Sequence, residues 1–277
     1  MPGVGLTFLF WNLKRARSDI LASLIKRHAV DVLMLAECPL NPEDVLVALN
    51  QDRTDYFFVS TQNSIAIFTR FSEEYLAPLE PPIEGAHFVI RRLALPGRLG
   101  ILLCVVHFPS KLWQDRLDQS AYATEFGRTV LEPAERQEKH ARTILVGDLN
   151  MNPYEDGVVQ YNGLHGVMTR EIAKRELRAV AGFESNRFFY NPMWQHFGEQ
   201  PEGHAGTYYF SSPKSRADYW NIYDQVLVRP DLLPFFRDEE LRIIHQDANL
   251  DISLLRKGKP NHQAVSDHLP LLFRLDI

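Results

Sequence analysis

Thr143-Ile144-Leu145-Val146-Gly147-Asp148-Leu149-Asn150-Met151-Asn152-Pro153 joins a short apolar run to a cluster of oxygen-bearing side chains, with a glycine at the junction. Apolar and β-branched residues bounded by turn formers read as a buried strand. The glycine admits close approach of another backbone or a ligand, and Asp148 and Asn150, two positions apart, can point the same way. A carboxylate and a carboxamide then face one small space at the strand's end.

The same arrangement recurs along the chain. Asn12 ends Phe8-Leu9-Phe10-Trp11, Glu37 ends Val32-Leu33-Met34-Leu35-Ala36, and His107 ends Leu102-Leu103-Cys104-Val105-Val106. Polar residues at strand ends can converge on one rim of a sheet protein, where distant sequence positions assemble a site. Each taken singly has an ordinary reading: a capping Glu, a hydrogen-bonded His, an Asp-Asn turn. The repetition is the signal.

Strands are expected at Leu6–Trp11, Val32–Ala36, Tyr56–Ser60, Ser64–Thr69, His87–Leu95, Gly100–His107, Thr143–Gly147, Thr207–Phe210, Ile222–Val228 and Leu269–Leu275. Between the first two, Ser18 can cap a helix with Ile20, Leu21, Leu24 and Ile25 on one face. Asn41-Pro42-Glu43-Asp44 is a helix start, with a capping side chain, proline at the first position and acids in the first turn. Ser110 to Arg142 reads as mostly helical, with Trp113-Gln114-Asp115-Arg116 as an amphipathic start. Tyr56–Thr69 and His87–His107 read as antiparallel hairpins, the second turning at Pro96-Gly97. The expected class is α/β (α+β), two packed sheets with outer helices. Ala77–Ala86 and Gly182–Gly206 read as surface loops, and the absence of linkers and repeats predicts one domain over residues 1–277.

The composition, 45% hydrophobic and 23% charged with 31 aromatics, excludes disorder and low-complexity classes. Two cysteines, Cys38 and Cys104, cannot build a disulfide framework. Leu6–Leu13 is too short to span a bilayer and lacks the flanks of a signal peptide. These point to a cytoplasmic protein without stable membrane association. A net charge of −5 argues against binding nucleic acid by bulk charge.

Trp11-Asn12, Leu35-Ala36-Glu37, His107-Phe108-Pro109-Ser110-Lys111, Gly147-Asp148-Leu149-Asn150, Tyr223-Asp224-Gln225-Val226-Leu227 and Ser266-Asp267-His268-Leu269-Pro270 occur in one order along the chain. Together they resemble the endonuclease/exonuclease/phosphatase family with the DNase I-like fold. The resemblance implies a four-layer αββα sandwich of two mixed or antiparallel sheets, and a hydrolase that is a Mg²⁺-dependent phosphodiesterase, with Mn²⁺ as a substitute. By this resemblance Glu37 is the main metal ligand with Asn12 beside it, and Asp267 helps with metal or water. Asp148 orients or deprotonates the attacking water, Asn150 holds the phosphate or the nucleophile, and His107 donates to a phosphate oxygen. His268 stabilises the developing charge, with Asp224 as its orienting partner. Two departures stand out against the AP-endonuclease branch, which carries Asp where this chain has Lys14 and Tyr where it has His107.

The chemistry agrees with this division of labour. Mg²⁺ takes hard oxygen ligands, and the motifs supply oxygens instead of thiolates. An imidazolium held by a carboxylate suits phosphoryl transfer, because the carboxylate favours the charged, donating form. Loops choose the leaving group. Arg187-Phe188-Phe189-Tyr190-Asn191-Pro192-Met193-Trp194 and Thr207 to Arg216 interleave aromatics with bases, so Arg187, Tyr208, Lys214 and Arg216, with Lys111, are candidate substrate contacts for nucleic acid. Core capping by Phe188, Tyr190 and Trp194 explains the first of these loops equally well. A nuclease is therefore expected, with a phosphatase or a phospholipid or inositol-phosphate phosphoesterase as the alternative. A scaffold with a dead site ranks low, since no catalytic group is missing. Setting aside the four acids of the site leaves 31 acids against 30 bases. The acidity is then largely a local cation site, and substrate binding depends on a few local Lys and Arg.

Overall fold

The computed structural model describes residues 5–15, 17–51, 56–62, 64–175, 187–199, 204–211, 217–246 and 253–277. Two sheets hold the long strands. The first contains β1 (Leu6–Asn12), β2 (Val32–Ala36), β3 (Phe57–Gln62), β4 (Ile65–Thr69) and, last in the chain, Leu271–Leu275. Its six-stranded order runs from Arg242–Ile243 through Leu271–Leu275, β1, β2 and β4 to β3. The second contains β5 (Phe88–Leu93), β6 (Ile101–His107), β7 (Thr143–Asp148) and β8 (Asp224–Val228), in the order β8, β7, β6, β5. Leu271–Leu275 is β9.

Both sheets are mixed. β1 pairs parallel with β2 and antiparallel with β9; β6 pairs parallel with β7, which pairs antiparallel with β8. The two expected hairpins form as β3–β4 and β5–β6, both antiparallel.

Strand alternation sorts the apolar residues into three layers. Phe8 and Phe10 of β1, Val105 of β6, Ile144 and Val146 of β7, and Val226 and Val228 of β8 pack between the sheets. Leu9 and Trp11 turn the other way and meet Ile20, Leu21, Leu24 and Ile25 of helix α1 (Ser18–Arg27) and Val45 and Leu49 of α2 (Pro42–Leu49). On the far side Cys104, Val106, Leu145 and Leu227 meet Ala123 and Phe126 of α3 (Arg116–Phe126) and Ala134 of α4 (Glu132–Glu138). Three apolar layers between four structural ones make an αββα sandwich of the DNase I-like kind.

Local chemistry explains most boundaries. Asn41 caps α2 by accepting from the Glu43 N–H at 3.2 Å. Asp115 caps α3 in a reciprocal box with Asp118, so the Trp113-to-Arg116 stretch is a helix start, as its sequence suggests. Ser18 is not a cap: it is the first helical residue of α1, and Arg17 occupies the cap position without a side-chain capping bond, its guanidinium instead donating to Asp19. Thr207–Phe210 shrinks to Tyr208–Tyr209, which lies in neither main sheet and pairs with Trp220–Asn221. β8 begins at Asp224 instead of Ile222, because the Ile222 N–H is taken by the Asn152 side chain at 2.9 Å. β9 begins after Pro270, which has no N–H to give a ladder.

Neither expected loop is wholly irregular. Leu76–Ala77 and Glu84–Gly85 pair with β5. Phe189–Tyr190 is a strand beside β8, and residues 182–186 and 200–203 of that second segment lie outside the described residues. No helix among the described residues is long and apolar enough to cross a membrane.

Candidate active site

Register brings the polar strand ends to one edge. His107 of β6 pairs with Asp148 of β7, and Asp148 pairs with Asp224 of β8. In the facing sheet Asn12 pairs with Ala36, the residue before Glu37. Asn12 follows Phe8 and Phe10 in the period of two, His107 follows Val105, Asp148 follows Val146, and Asp224 precedes Val226. All four therefore share the face of the inter-sheet core and form its polar rim.

Asp148 is the hub. Its side chain is almost wholly buried, and Asn12 Nδ2 donates to its Oδ2 at 3.0 Å from the other sheet. The Asn150 backbone N–H donates to Oδ1 at 2.8 Å. His268 Nε2 and His107 Nε2 lie 3.9 and 4.0 Å from Oδ2. Burial pushes the Asp148 carboxyl up, an effect the His268 charge offsets only in part, so this group binds a proton more readily than an exposed aspartate.

His268 Nδ1 donates to Asp224 Oδ2 at 2.8 Å. Burial opposes charge on this imidazole, but the Asp224 carboxylate outweighs it and the group is pushed up to about 9. The loop that carries His268 is pinned to β1: Trp11 Nε1 donates to the His268 carbonyl at 2.9 Å, and Ser266 Oγ donates to the Asn12 carbonyl at 2.7 Å. The Tyr208 ring lies tilted against the His268 ring, 4.7 Å between centroids at an interplanar angle of 41°, and walls the site on that side.

Glu37 and His107 form the other flank, with Nε2 and Oε1 3.1 Å apart. The His107 hydrogen bond, working against burial, holds the Glu37 carboxyl down at about 2. Ser64 Oγ lies 3.1 Å from His107 Nδ1, so both ring nitrogens are engaged. Glu37 and Asn150 both adopt left-handed φ, 50° and 51°. That conformation is strained for a glutamate, and such strain clusters at functional sites.

Asn12, Glu37, Asp148, Asn150, Tyr208, Asp267 and His268 line one cavity of about 370 Å³, with Lys14, Lys111 and Arg116 at its edge. Asn12 Oδ1 and Asp267 Oδ1 are buried without a hydrogen-bond partner. Unpartnered hard oxygens beside the Glu37 carboxylate are a donor set that fits Mg²⁺. Asp148, Asp224 and His268 also place one ligating atom each within 4.8 Å of one another. His268 Nδ1 and Asp224 Oδ2 already share a hydrogen bond, and Asn12 donates to Asp148 Oδ2, an arrangement that suits a proton-holding chain.

The substrate contacts expected from the loops fare unevenly. Lys111 reaches the cavity but is paired with Glu155 Oε1 and lies 4.9 Å above the Tyr223 ring. Arg187 does not reach the site: its carbonyl accepts from Arg229, which follows the opposite end of β8 from Asp224. Tyr190 joins the inter-sheet core with Phe188 against it, so that aromatic loop caps the sandwich. Lys214 and Arg216 lie outside the described residues.

Several supporting residues carried no sequence signal. Ser64 holds His107, Gln119 Nε2 donates to the Asn150 carbonyl at 3.1 Å, and Asn152 Nδ2 donates to Asn221 Oδ1 at 2.9 Å. The period of two along β1, β6, β7 and β8 is the one pattern that would have placed the strand-end residues on the inner face in advance.

The sequence profile of the Endonuclease/Exonuclease/phosphatase family matches residues 9–268. The chain belongs to this family. Its profile takes in every residue of the cavity wall from Asn12 to His268. Solved structures with the same fold include D. rerio TDP2 complexed with a single-strand DNA product, 19% identical, covering 98% of each chain with a TM-score of 0.54. The 3′ phosphatase NExo from Neisseria, bound to a product DNA hairpin, is 16% identical, covers 98% of this chain and 100% of its own, and has a TM-score of 0.54. An AP endonuclease from Archaeoglobus fulgidus is 18% identical over 98% and 100% of the two chains, with a TM-score of 0.51. No curated protein sequence matches.

Proposed function

We propose that this family phosphoesterase is a nuclease that hydrolyses phosphodiester bonds of nucleic acid with a divalent cation, Mg²⁺ or, in its place, Mn²⁺. The observation that carries the reading is Asp148, a nearly inaccessible carboxylate approached by Asn12 from one sheet and by His107 and His268 at the rim. Asn12, Glu37 and Asp267 would hold the cation, which when bound neutralises phosphate charge.

Asp148, with its raised proton affinity, aligns a water and takes its proton. Asn150 holds the phosphate or the nucleophile beside it. His107 donates to a phosphate oxygen through the Nε2 that now meets Glu37. His268, kept cationic and correctly turned by Asp224, donates to the oxygens on which charge builds up. Tyr208 and Lys111 face the substrate from the walls. The DNA products held by TDP2 and NExo, enzymes of the same fold, support nucleic acid as the substrate class. NExo's description as a 3′ phosphatase keeps a terminal phosphomonoester as the second reading.

We read residues 1–277 as one catalytic domain, because the site draws on both ends of the chain. The two unbridged cysteines, Cys104 fully buried, support a reducing cytoplasmic setting.

The test is a panel of single- and double-stranded DNA, RNA, a 3′-phosphorylated oligonucleotide and an inositol phosphate, each with Mg²⁺ and with EDTA. Mg²⁺-dependent cleavage of a nucleic acid, lost in Asp148→Asn, is expected. Activity confined to the inositol phosphate, or full turnover by Asp148→Asn, would overturn the reading.

A further inference from the structure

Ser253 to Ser266 is a run of 14 residues with three bases, Arg256, Lys257 and Lys259, and no acid, in a chain of net charge −5. Leu255–Arg256 pairs antiparallel with Lys259–Pro260 in a separate two-stranded hairpin. Its turn residues, Lys257 and Gly258, have φ of 54° and 71°. A two-residue turn with both φ positive favours Asn-Gly, so a lysine at the first position costs local stability that an asparagine would not. Arg256, Lys257 and Lys259 are all exposed. With Asn261, His262 and Gln263 they line a shallow cavity of about 300 Å³.

Two contacts tie this segment to elements beside the Asp148 cavity. Lys259 Nζ lies 4.2 Å from the ring centroid of Tyr209, the residue after Tyr208, which walls the cavity. On the other flank the Arg15 N–H donates to the Val265 carbonyl at 3.1 Å, next to Lys14 on the cavity edge. The hairpin's bases thus sit beside the short Tyr208–Tyr209 strand, on the face opposite Tyr208, which walls the cavity.

We propose that the Leu255–Pro260 hairpin is a second phosphate-binding surface for a single nucleic-acid strand whose scissile phosphate occupies the Asp148 cavity. This rests on the phosphodiesterase reading of that cavity. Arg256, Lys257 and Lys259 take phosphates of nucleotides beyond the cleaved bond. Exposed bases hold a lone small anion weakly, but each contact to a polyanion releases a counterion and their effects multiply. The hairpin bears no exposed large apolar side chain, which favours a nucleic-acid strand over a lipid surface.

The experiment measures binding of a labelled single strand of roughly 20 nucleotides to the whole protein in EDTA, over salt from about 50 to about 300 mM. The double variant is Arg256→Ala with Lys257→Asn, the second chosen because asparagine suits the turn. Its slope of log Kd against log salt should fall in magnitude by about 1.4, and its Kd at the lowest salt should rise about tenfold or more. The variant's thermal midpoint should not fall, and its kcat/KM on a small aryl phosphodiester, too short to reach the hairpin, should equal that of the wild type. An unchanged slope overturns the proposal, as does equal loss on strand and small diester, or weakened binding confined to vesicles containing phosphatidylserine. A wild type that cleaves no phosphodiester, while the hairpin still sets the salt slope, overturns the catalytic reading and leaves the hairpin's role standing.

Discussion

Gly147→Ala tests whether the close pairing of β6 and β7 positions Asp148. Gly147 has a φ of 151°, and a Cβ placed on it would lie 1.9 Å from the Val106 carbonyl oxygen, its partner across the ladder. Ordinary contact begins at 3.4 Å, so the two backbones must part by about 1.5 Å at that point. Weakening the two flanking ladder bonds costs about 1 kcal/mol each. Holding an alanine in a glycine-favoured backbone region costs about 1–3 kcal/mol more. The expected loss is about 3–5 kcal/mol, a large share of a total near 5–15 kcal/mol.

At about 2–4 °C per kcal/mol, Tm should fall by about 10 °C. Asp148 is the next residue, and a shift of about 1 Å at a reacting group costs about a hundredfold in rate. Thermal unfolding followed by circular dichroism, together with kcat/KM on the best substrate of the panel, measures both effects. Gly97→Ala is the control: its φ is 71° with nothing within 4 Å of the added carbon, so only the backbone cost of about 1 kcal/mol applies. A Gly147→Ala variant that melts within about 2 °C of the wild type with undiminished turnover would refute the reasoning.

His268→Ala leaves the fully buried Asp224 carboxylate without its partner, so it should lose about 3 kcal/mol of stability as well as about 10³-fold in kcat. His268→Gln, which keeps a donor, should lose as much turnover with a smaller shift of the urea midpoint; retained turnover in both would remove His268 from the chemistry. Arg187→Ala should leave strand cleavage within about twofold of the wild type, because Arg187 lies at the far end of β8; a larger drop in kcat/KM would contradict that placement. Asn41→Ala should cost about 1 kcal/mol in the unfolding midpoint while Ser18→Ala costs under about 0.5 kcal/mol, since only the asparagine caps its helix.

Much of the site was legible because short motifs encode it locally. Asn12, Glu37, His107 and Asp148 each end or follow a run of consecutive apolar residues, and buried strands have few other places for polar groups. Asn41 announced its helix through a side chain that bonds the N–H two residues on, and the amphipathic start read at Trp113 to Arg116 holds the Asp115 that caps α3. Ser18 looked the same in sequence, but the chain enters α1 one residue earlier, at Arg17, and places Ser18 inside the helix. Arg187 was misread for a different reason. Alternating aromatic and basic residues suit both a nucleic-acid surface and the margin of a core, and pairing of Phe189–Tyr190 beside β8 put this segment at the core.

By itself, then, the sequence determined the strand-rich α/β class, the family, and the oxygen-donor and imidazole chemistry, all of which depend on residue type and near-neighbour spacing. Only the tertiary structure decided which groups meet. Asn12 and Asp148 are 136 positions apart and belong to different sheets, yet their side chains share a hydrogen bond of 3.0 Å. His268 finds Asp224 44 positions away through a loop anchored on β1. Parallel pairing of β1 with β2 and of β6 with β7 brings four strand ends to one edge, and the packing of two sheets turns those ends toward a common cavity. Such contacts depend on register and layer order, which arise from burying three apolar faces at once and are written in no local stretch of residues.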